Sequence, residues 1–216
     1  MKRLLAKSVA VAALFPISLA GATGARAQQP ALDSFAILSG TEITNTGAGT
    51  SIIGNVGLHP GTNNELLQSQ VDGMIYNTDA IALQAKIDLV ARYLSLQAEG
   101  GALLGPELNG ITLEPGAYQF SDSAQISVGG ELTLDALGDP AARFVFNIPT
   151  TLTAFAGSKI TLINGAQGKN VFFRVGSSAT LNANTDFVGQ IVALTSIHLL
   201  NGAQLICGAA LPRTRM

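Results

Sequence analysis

From Leu108 onward the chain is a succession of short aliphatic and β-branched runs closed by Gly, Asn or Asp, and two of these runs recur with their turns. Ile160-Thr-Leu-Ile-Asn-Gly-Ala-Gln167 returns further along as Ile197-His-Leu-Leu-Asn-Gly-Ala-Gln204. Arg143-Phe-Val-Phe-Asn-Ile148 returns, after a shorter interval, as Asn170-Val-Phe-Phe-Arg-Val175. Self-similar strand–turn units of this size mark a stacked β architecture, in which no unit buries its apolar side alone and neighbouring units do so together. The unequal separations predict coils of unequal length, an irregular β-helix. A two-sheet sandwich is the competing architecture. Matching residues at matching places favour the solenoid. Leu132 and Leu134, Phe144 and Phe146, Ile160 and Leu162, and Phe187 are the expected inward residues. Thr133, Thr161, Asn147, Ser158 and Thr153 are the expected outward alternates.

Ahead of this region, Phe35–Leu38, Glu42–Thr44 and Ser51–Ile53 read as short strands divided by turn chemistry at Asn45–Gly49 and Gly54–Asn55, with an irregular loop over His59–Asn64. One segment has helical period. Ala80, Leu83, Ile87, Val90 and Leu94 follow one another at +3, +4, +3, +4 and predict a helix over about residues 78–98 with that stripe as its buried side. Asn77 or Thr78 is the expected cap, Gly100-Gly101 the stop, and Asp88 with Arg92 an i,i+4 pair on the wet side. Such a helix lies alongside the stack and covers one of its faces.

Residues 1–27 read as an export signal rather than as part of the fold. Met1-Lys2-Arg3 is basic, Ser8 to Leu19 is apolar, and Ala25-Arg26-Ala27 is a small-x-small cleavage signature. The expected mature chain is 28–216, secreted and free of the membrane once the signal is removed. No other stretch approaches the ~18–20 apolar residues of a membrane span.

Charge and chemistry exclude several classes of function. Only 12% of the residues are charged, about half the usual share. Four of the 12 Lys and Arg (Lys2, Arg3, Lys7 and Arg26) lie in the export segment, leaving 8 cations against 14 acids. A chain of that sign lacks the basic footprint of a nucleic-acid partner. The two His residues, His59 and His198, stand far apart, and the one Cys, Cys207, sits in an apolar run as an expected buried thiol. No metal site is expected from them. There is no nucleophile elbow and no phosphate-cradling loop. Asp122, Asp135 and Asp139 read as turn formers rather than as a calcium site or glycosidase pair. The expectation is a protein that is not an enzyme and needs no cofactor.

What remains abundant is the short hydroxyl or amide side chain at outward positions: Thr151 and Thr153, Thr180 and Asn182, Thr195 and His198. Side chains two apart on a strand share a face, and neighbouring coils lie ~4.7–4.9 Å apart. The product is a flat, uncharged grid of methyl and hydroxyl groups that can hold water in fixed positions, as adsorption to ice requires. Thr is also simply a good strand former on a solvated face.

Several stretches in combination resemble the microbial ice-binding protein family. They include Phe35-Ala-Ile-Leu-Ser-Gly40, Ile53-Gly-Asn-Val-Gly-Leu-His-Pro-Gly61, Leu113-Glu-Pro-Gly-Ala-Tyr118, Leu132-Thr-Leu-Asp135, Leu162-Ile-Asn-Gly-Ala-Gln167, Val175-Gly-Ser-Ser-Ala-Thr-Leu181 and Ala193-Leu-Thr-Ser-Ile197. The likeness runs from about Leu32 to Ala210. It implies a mainly β protein, a right-handed β-solenoid of triangular cross-section with one long helix packed alongside and with its N- and C-terminal parts brought together in one stack. It implies a monomer whose partner is the ice crystal surface, bound through one flat face to slow ice growth and recrystallisation. Mapped onto this sequence, the nearest matches to the family's ice-binding steps are Thr151-Leu-Thr153, Thr180-Leu-Asn182 and Thr195-Ser-Ile-His198. His198 stands where Thr or Asn is expected, and Leu152 is bulkier than the expected Ala or Gly. Family members continue past the Gly-Ala-Leu-like step with a Thr- and Asn-rich strand. Here Gly208-Ala-Ala-Leu-Pro-Arg-Thr-Arg-Met216 follows, so a strand edge is expected to lack its partner, and Pro212 is a poor interior-strand residue. The alternative is an extracellular adhesin or carbohydrate-binding module on the same scaffold. It calls for exposed aromatic platforms, and the chain offers three Tyr residues (Tyr76, Tyr93, Tyr118) and no Trp.

Overall fold

The computed structural model describes residues 31–47 and 49–213; the expected export segment 1–27 lies outside them. Seven short strands come first: β1 (Phe35–Ser39), β2 (Glu42–Ile43), β3 (Ile52–Ile53), β4 (Asn55–Leu58), β5 (Asn63–Asn64), β6 (Val71–Asp72) and β7 (Ile75–Asn77). Helix α1 (Ala80–Ala98) follows. Then come β8 (Ala102–Leu104), β9 (Ile111–Leu113), β10 (Gly116–Phe120), β11 (Ala124–Ile126), β12 (Glu131–Asp135), β13 (Phe144–Ile148) and β14 (Leu152–Ala154). The last are β15 (Lys159–Ile163), β16 (Val171–Val175), β17 (Ala179–Leu181), β18 (Asp186–Ala193), β19 (Ile197–Leu199) and β20 (Gln204–Pro212).

Every strand pairing is parallel, and no strand pairs with the one that follows it along the chain. This is the β-solenoid, with three faces. On one face the order is β7-β4-β1-β20-β18-β16-β13-β10-β8. Pairing of Ile37 with Ala210 joins the N-terminal coils to the C-terminal ones, so both parts of the chain form one stack. A second face carries β11-β14-β17-β19, and a third carries β9-β12-β15 continued by the first halves of β18 and β20. Strands β18 and β20 each bend from the third face onto the first, at Gly189 and Gly208. Gly189 has φ +110°, and a Cβ on Gly208 would lie 2.1 Å from the Gly189 carbonyl oxygen, so neither position accepts a side chain.

The repeat of Arg143–Ile148 in Asn170–Val175 is the true coil. Phe144 pairs with Val171 and Phe146 with Phe173, at the same offset as the sequence repeat. Registered aromatics stack up the interior, Tyr118 to Phe146 at 5.6 Å and Phe146 to Phe173 at 4.4 Å between ring centroids, and Phe187, from another face, tilts against Phe173 at 4.8 Å. Offset-stacked and tilted rings at these separations add roughly 0.5–1.5 kcal/mol per pair beyond their buried area. The repeat of Ile160–Gln167 in Ile197–Gln204 is not a coil: Ile160 lies on β15 of the third face and Ile197 on β19 of the second. What the two copies share is a corner turn, with Gly165 and Gly202 both at positive φ. The last coil of the second face is also the shortest, since Thr180 to His198 is a smaller step along the chain than Thr153 to Thr180.

The helix starts two residues later than expected. Asp79, not Asn77 or Thr78, is its cap, its carboxylate accepting from the Ala82 N–H at 2.8 Å. Its buried side is also not the expected one. Ala82, Ala85, Lys86, Leu89, Tyr93 and Leu96 face the sheet, whereas Leu83, Ile87 and Leu94 face solvent. The helix carries apolar residues on more than one side, so two stripes of helical period compete, and fit against Phe35, Val145, Val192 and Leu211 decides between them. Asp88 accepts from Gln84, and Arg92 turns to Asp33 and Gln190 rather than to Asp88. At ~1.5 Å per residue the helix is roughly 28 Å long, most of the distance from β7 at one end of the stack to β8 at the other. Asn147 fixes its C-terminal end, its amide donating to the carbonyls of Leu96 and Glu99 at 2.7 and 3.0 Å. Asn147 thus points outward from the coil as expected but is buried beneath the helix, whereas Ser158 is fully buried.

Lys86 is 1% exposed beneath this helix and donates to the carbonyls of Pro212 and Arg213 at 2.8 and 2.9 Å. Burial, aided by the nearby Arg213 charge, lowers its pKa to about 8. Pro212 lies in a strand flanked on both sides, contrary to expectation, but as its last residue. The neighbouring Arg213 N–H donates to Ala193, and alternate amides of a strand face opposite neighbours. The missing amide therefore points away from β18. Cys207 is exposed rather than buried, at φ +47°. The core opens at β19. On its outer side β19 has no strand among the described residues, and Leu199 is 44% exposed although its registered neighbour Leu181 is fully buried.

Candidate functional site

Because the first face is covered by the helix, only the second and third faces are available to a large surface. On the second face, pairing of Gln125 with Thr153, Thr153 with Thr180 and Thr180 with His198 sets one outward rank across β11, β14, β17 and β19. The inward neighbours Ala124, Leu152, Ala179, Ile126, Ala154 and Leu181 are buried, which fixes which way the rank points. One rank earlier stand Thr151, Ser178 and Ser196. The Leu152 N–H donates to the Ser178 carbonyl, the Ala179 N–H donates to the Ser196 carbonyl, and the Ser196 hydroxyl lies 2.9 Å from that of Ser178. Along the stack these positions repeat at ~4.7–4.9 Å and along each strand at ~6.6–6.8 Å.

Of the expected site residues, Thr153, Thr180 and His198 thus share one rank and Thr151 the adjoining one. Asn182 follows Thr180 in phase, but its amide donates to the Ala154 carbonyl at 3.0 Å and so serves the neighbouring coil. Thr195 is exposed at the corner before β19, one residue out of phase, with its N–H bonded to the Ser177 carbonyl. Gln125, Ser178 and Ser196 belong to the surface and were missed. Coil arithmetic finds Gln125, since the step from Gln125 to Thr153 nearly equals the step from Thr153 to Thr180.

No Asp, Glu, Lys or Arg occupies either rank. Two carboxylates border them: Asp122, which accepts from the Thr150 hydroxyl, and Glu107, paired across a single bridge with Gln125 at the end of the face. Burial acts to raise its pKa, but hydrogen bonds from the Ser127 hydroxyl, the Asn109 N–H, the Gln125 amide and the Ser127 N–H outweigh it and hold the carboxyl below the ordinary range. Its charge is thereby satisfied inside the end cap.

The third face also has a threonine rank, Thr112–Thr133–Thr161, but beside it runs a charged one, Glu131–Lys159–Asp186. Lys159 pairs with Glu131 at 3.2 Å, and the Thr161 hydroxyl donates to the same carboxylate. The Thr161 hydrogen bond first, and Lys159 second, hold Glu131 below the usual carboxylate range.

Comparison with known proteins agrees with this architecture. The model of the ice-binding-like family matches residues 37–216, and the chain belongs to that family. An ice-binding protein of Nostoc sp. (strain HG1) is 44% identical over 181 residues, 82% of this chain and 66% of the relative; the chain therefore spans just under two thirds of that relative's length. The crystal structure of an ice-binding protein from an Antarctic biological consortium is similar with a TM-score of 0.78 at 34% identity, covering 97% of this chain and 90% of that one. The structure of an ice-binding protein from the Antarctic ascomycete Antarctomyces psychrotrophicus gives 0.76 at 29% identity, over 83% and 90% of the two chains.

Proposed function

We propose that this chain is an exported, non-catalytic protein that adsorbs to ice as a monomer through the second face of its solenoid. The observation that carries the reading is the pair of uncharged, registered ranks, Gln125–Thr153–Thr180–His198 and Thr151–Ser178–Ser196, on a sheet whose inner side is locked by buried Ala and Leu. Methyl groups constrain the first water layer, and hydroxyls anchor it, at spacings that repeat in two directions. Bound molecules pin the growth front, ice curves between them, and growth and recrystallisation slow. Membership of the ice-binding family and the solved ice-binding neighbours support the same reading. The tyrosines offer the sugar-binding alternative no platform: Tyr93 is buried, Tyr118 is stacked on Phe146, and Tyr76 packs on Phe35.

The test is recrystallisation of ice in concentrated sucrose with the folded chain and with a heat-denatured control. Small persistent crystals with the folded sample alone support adsorption. Coarsening equal to the control, from protein shown folded by circular dichroism, overturns it.

A further inference from the structure

Three of the four side chains in the outer rank, Gln125, Thr153 and Thr180, cannot change charge. The fourth, His198, carries an imidazole, which is neutral with one ring proton and cationic with two. It is exposed on the last strand of the sheet. Among the described residues, β17 and β20 pack against its strand; β17 carries no charged or titratable side chain, and the one titratable side chain of β20 is Cys207. Its registered neighbour on β17 is Thr180, with Ser178 in the next rank. Its own strand offers Ser196, whose hydroxyl is 2.9 Å from Nε2. On the far side no strand follows among the described residues, and His198 takes part in none of their ion pairs.

The hydroxyl of Ser196 has a single proton and two partners, His198 Nε2 and the Ser178 hydroxyl, each at 2.9 Å. When the ring is neutral with its proton on Nδ1, Nε2 accepts. Ser196 then donates to it and receives a hydrogen bond from Ser178. When the ring is protonated, Nε2–H donates, Ser196 accepts, and the Ser196 proton turns toward Ser178. One proton therefore places a charge on an otherwise uncharged face and fixes the direction of hydrogen bonding through three adjacent side chains. An imidazolium pressed against ice gives up part of its hydration without gaining a counter-charge, which disfavours contact.

We propose that His198 makes ice adsorption by this face proton-controlled, strong with the neutral ring and weak with the charged one, an inference that rests on the ice-adsorption reading. The experiment compares the wild-type chain, His198→Asn and His198→Lys in the recrystallisation assay at about pH 7.5 and about pH 5.5, on either side of the imidazole range, at fixed ionic strength. Circular dichroism shows each sample folded at both values. His59 is present in all three proteins, so any response it causes is common to them.

The expected result is an inhibitory concentration that rises about fivefold for the wild type at the lower pH, equivalent to about 1 kcal/mol of adsorption free energy. His198→Asn shows one endpoint at both values, and His198→Lys is as weak at both as the wild type is in acid. Parallel responses of wild type and His198→Asn overturn the proposal while leaving ice adsorption in place. So does a His198→Lys variant as active as His198→Asn. Absence of inhibition by every protein at both values overturns the ice reading and this inference with it.

Discussion

The two uncovered faces are made by the same coils, with the same parallel register, and each displays a rank of threonines. They differ in the residues beside that rank. On the second face the companions are Thr151, Ser178 and Ser196; on the third they are Glu131, Lys159 and Asp186, and one of the three threonine hydroxyls is already committed to Glu131. Threonine periodicity alone therefore does not define an ice-adsorbing surface. A charged rank holds its own hydration shell, which moves with the side chains and matches no lattice, whereas an uncharged rank on a rigid sheet leaves the water layer free to take the spacing of the protein. This contrast is why we propose adsorption on the second face and solvation on the third.

The largest effect that sharpens this contrast is steric. Thr153→Tyr with Thr180→Tyr breaks the flatness of the second face and raises the inhibitory concentration at least about tenfold, a loss of roughly 1.4 kcal/mol. Thr133→Tyr with Thr161→Tyr on the third face leaves it unchanged. Recrystallisation assays on both folded double variants decide; the opposite pattern moves the site to the third face. A smaller effect comes from charge. Gln125→Glu places a carboxylate in the outer rank without changing shape and costs several-fold in the same assay, whereas Glu131→Gln on the third face costs none.

Stability distinguishes the end caps and the covered face in turn. Glu107 is held below the ordinary carboxylate range in the folded chain, so its contribution is complete above the unfolded value of 4.5 and is lost as pH falls through the lower folded value. Melting temperature therefore declines in acid, less steeply for Glu107→Gln. Lys86 has the opposite sign of shift from an ordinary ion-paired lysine. Between its folded value of about 8 and the unfolded value of 10.5, the unfolded chain binds a proton that the folded chain does not, so stability rises with pH. Lys86→Met removes that slope, as denaturant titrations at several pH values would show. The least effect is expected on the third face, where Glu131→Gln breaks an exposed ion pair and leaves the melting temperature at neutral pH essentially where it was.

Much of this was legible in the sequence. Arg143–Ile148 and Asn170–Val175 are one strand position seen twice, and their separation is the coil length. Thr153 and Thr180 follow from the same offset, and the helix from its period. The second repeat misled because Asn-Gly corner turns recur wherever the chain rounds a corner, on any face, so matching turns do not mean matching strands. Gln125, Ser178 and Ser196 escaped notice because no single residue type marks them; they become visible only when strands are aligned in register.

The alternation of apolar and hydroxyl residues, the turn residues and the aromatic repeats determined by themselves that the chain forms short parallel strands in stacked coils, with Thr outward and Phe inward, since these preferences act over a few residues. Three-dimensional packing alone decided which of the helix's two apolar stripes is buried, because Leu83 and Leu89 are equal in hydrophobicity and only the shape of the sheet separates them. It also decided that Asn147 and Lys86 are buried between sheet and helix, where they hold backbone carbonyls, and that one threonine rank stands among hydroxyls and the other among charges. Those outcomes depend on residues brought together from distant parts of the chain, and neighbours of that kind exist only once the coils have stacked.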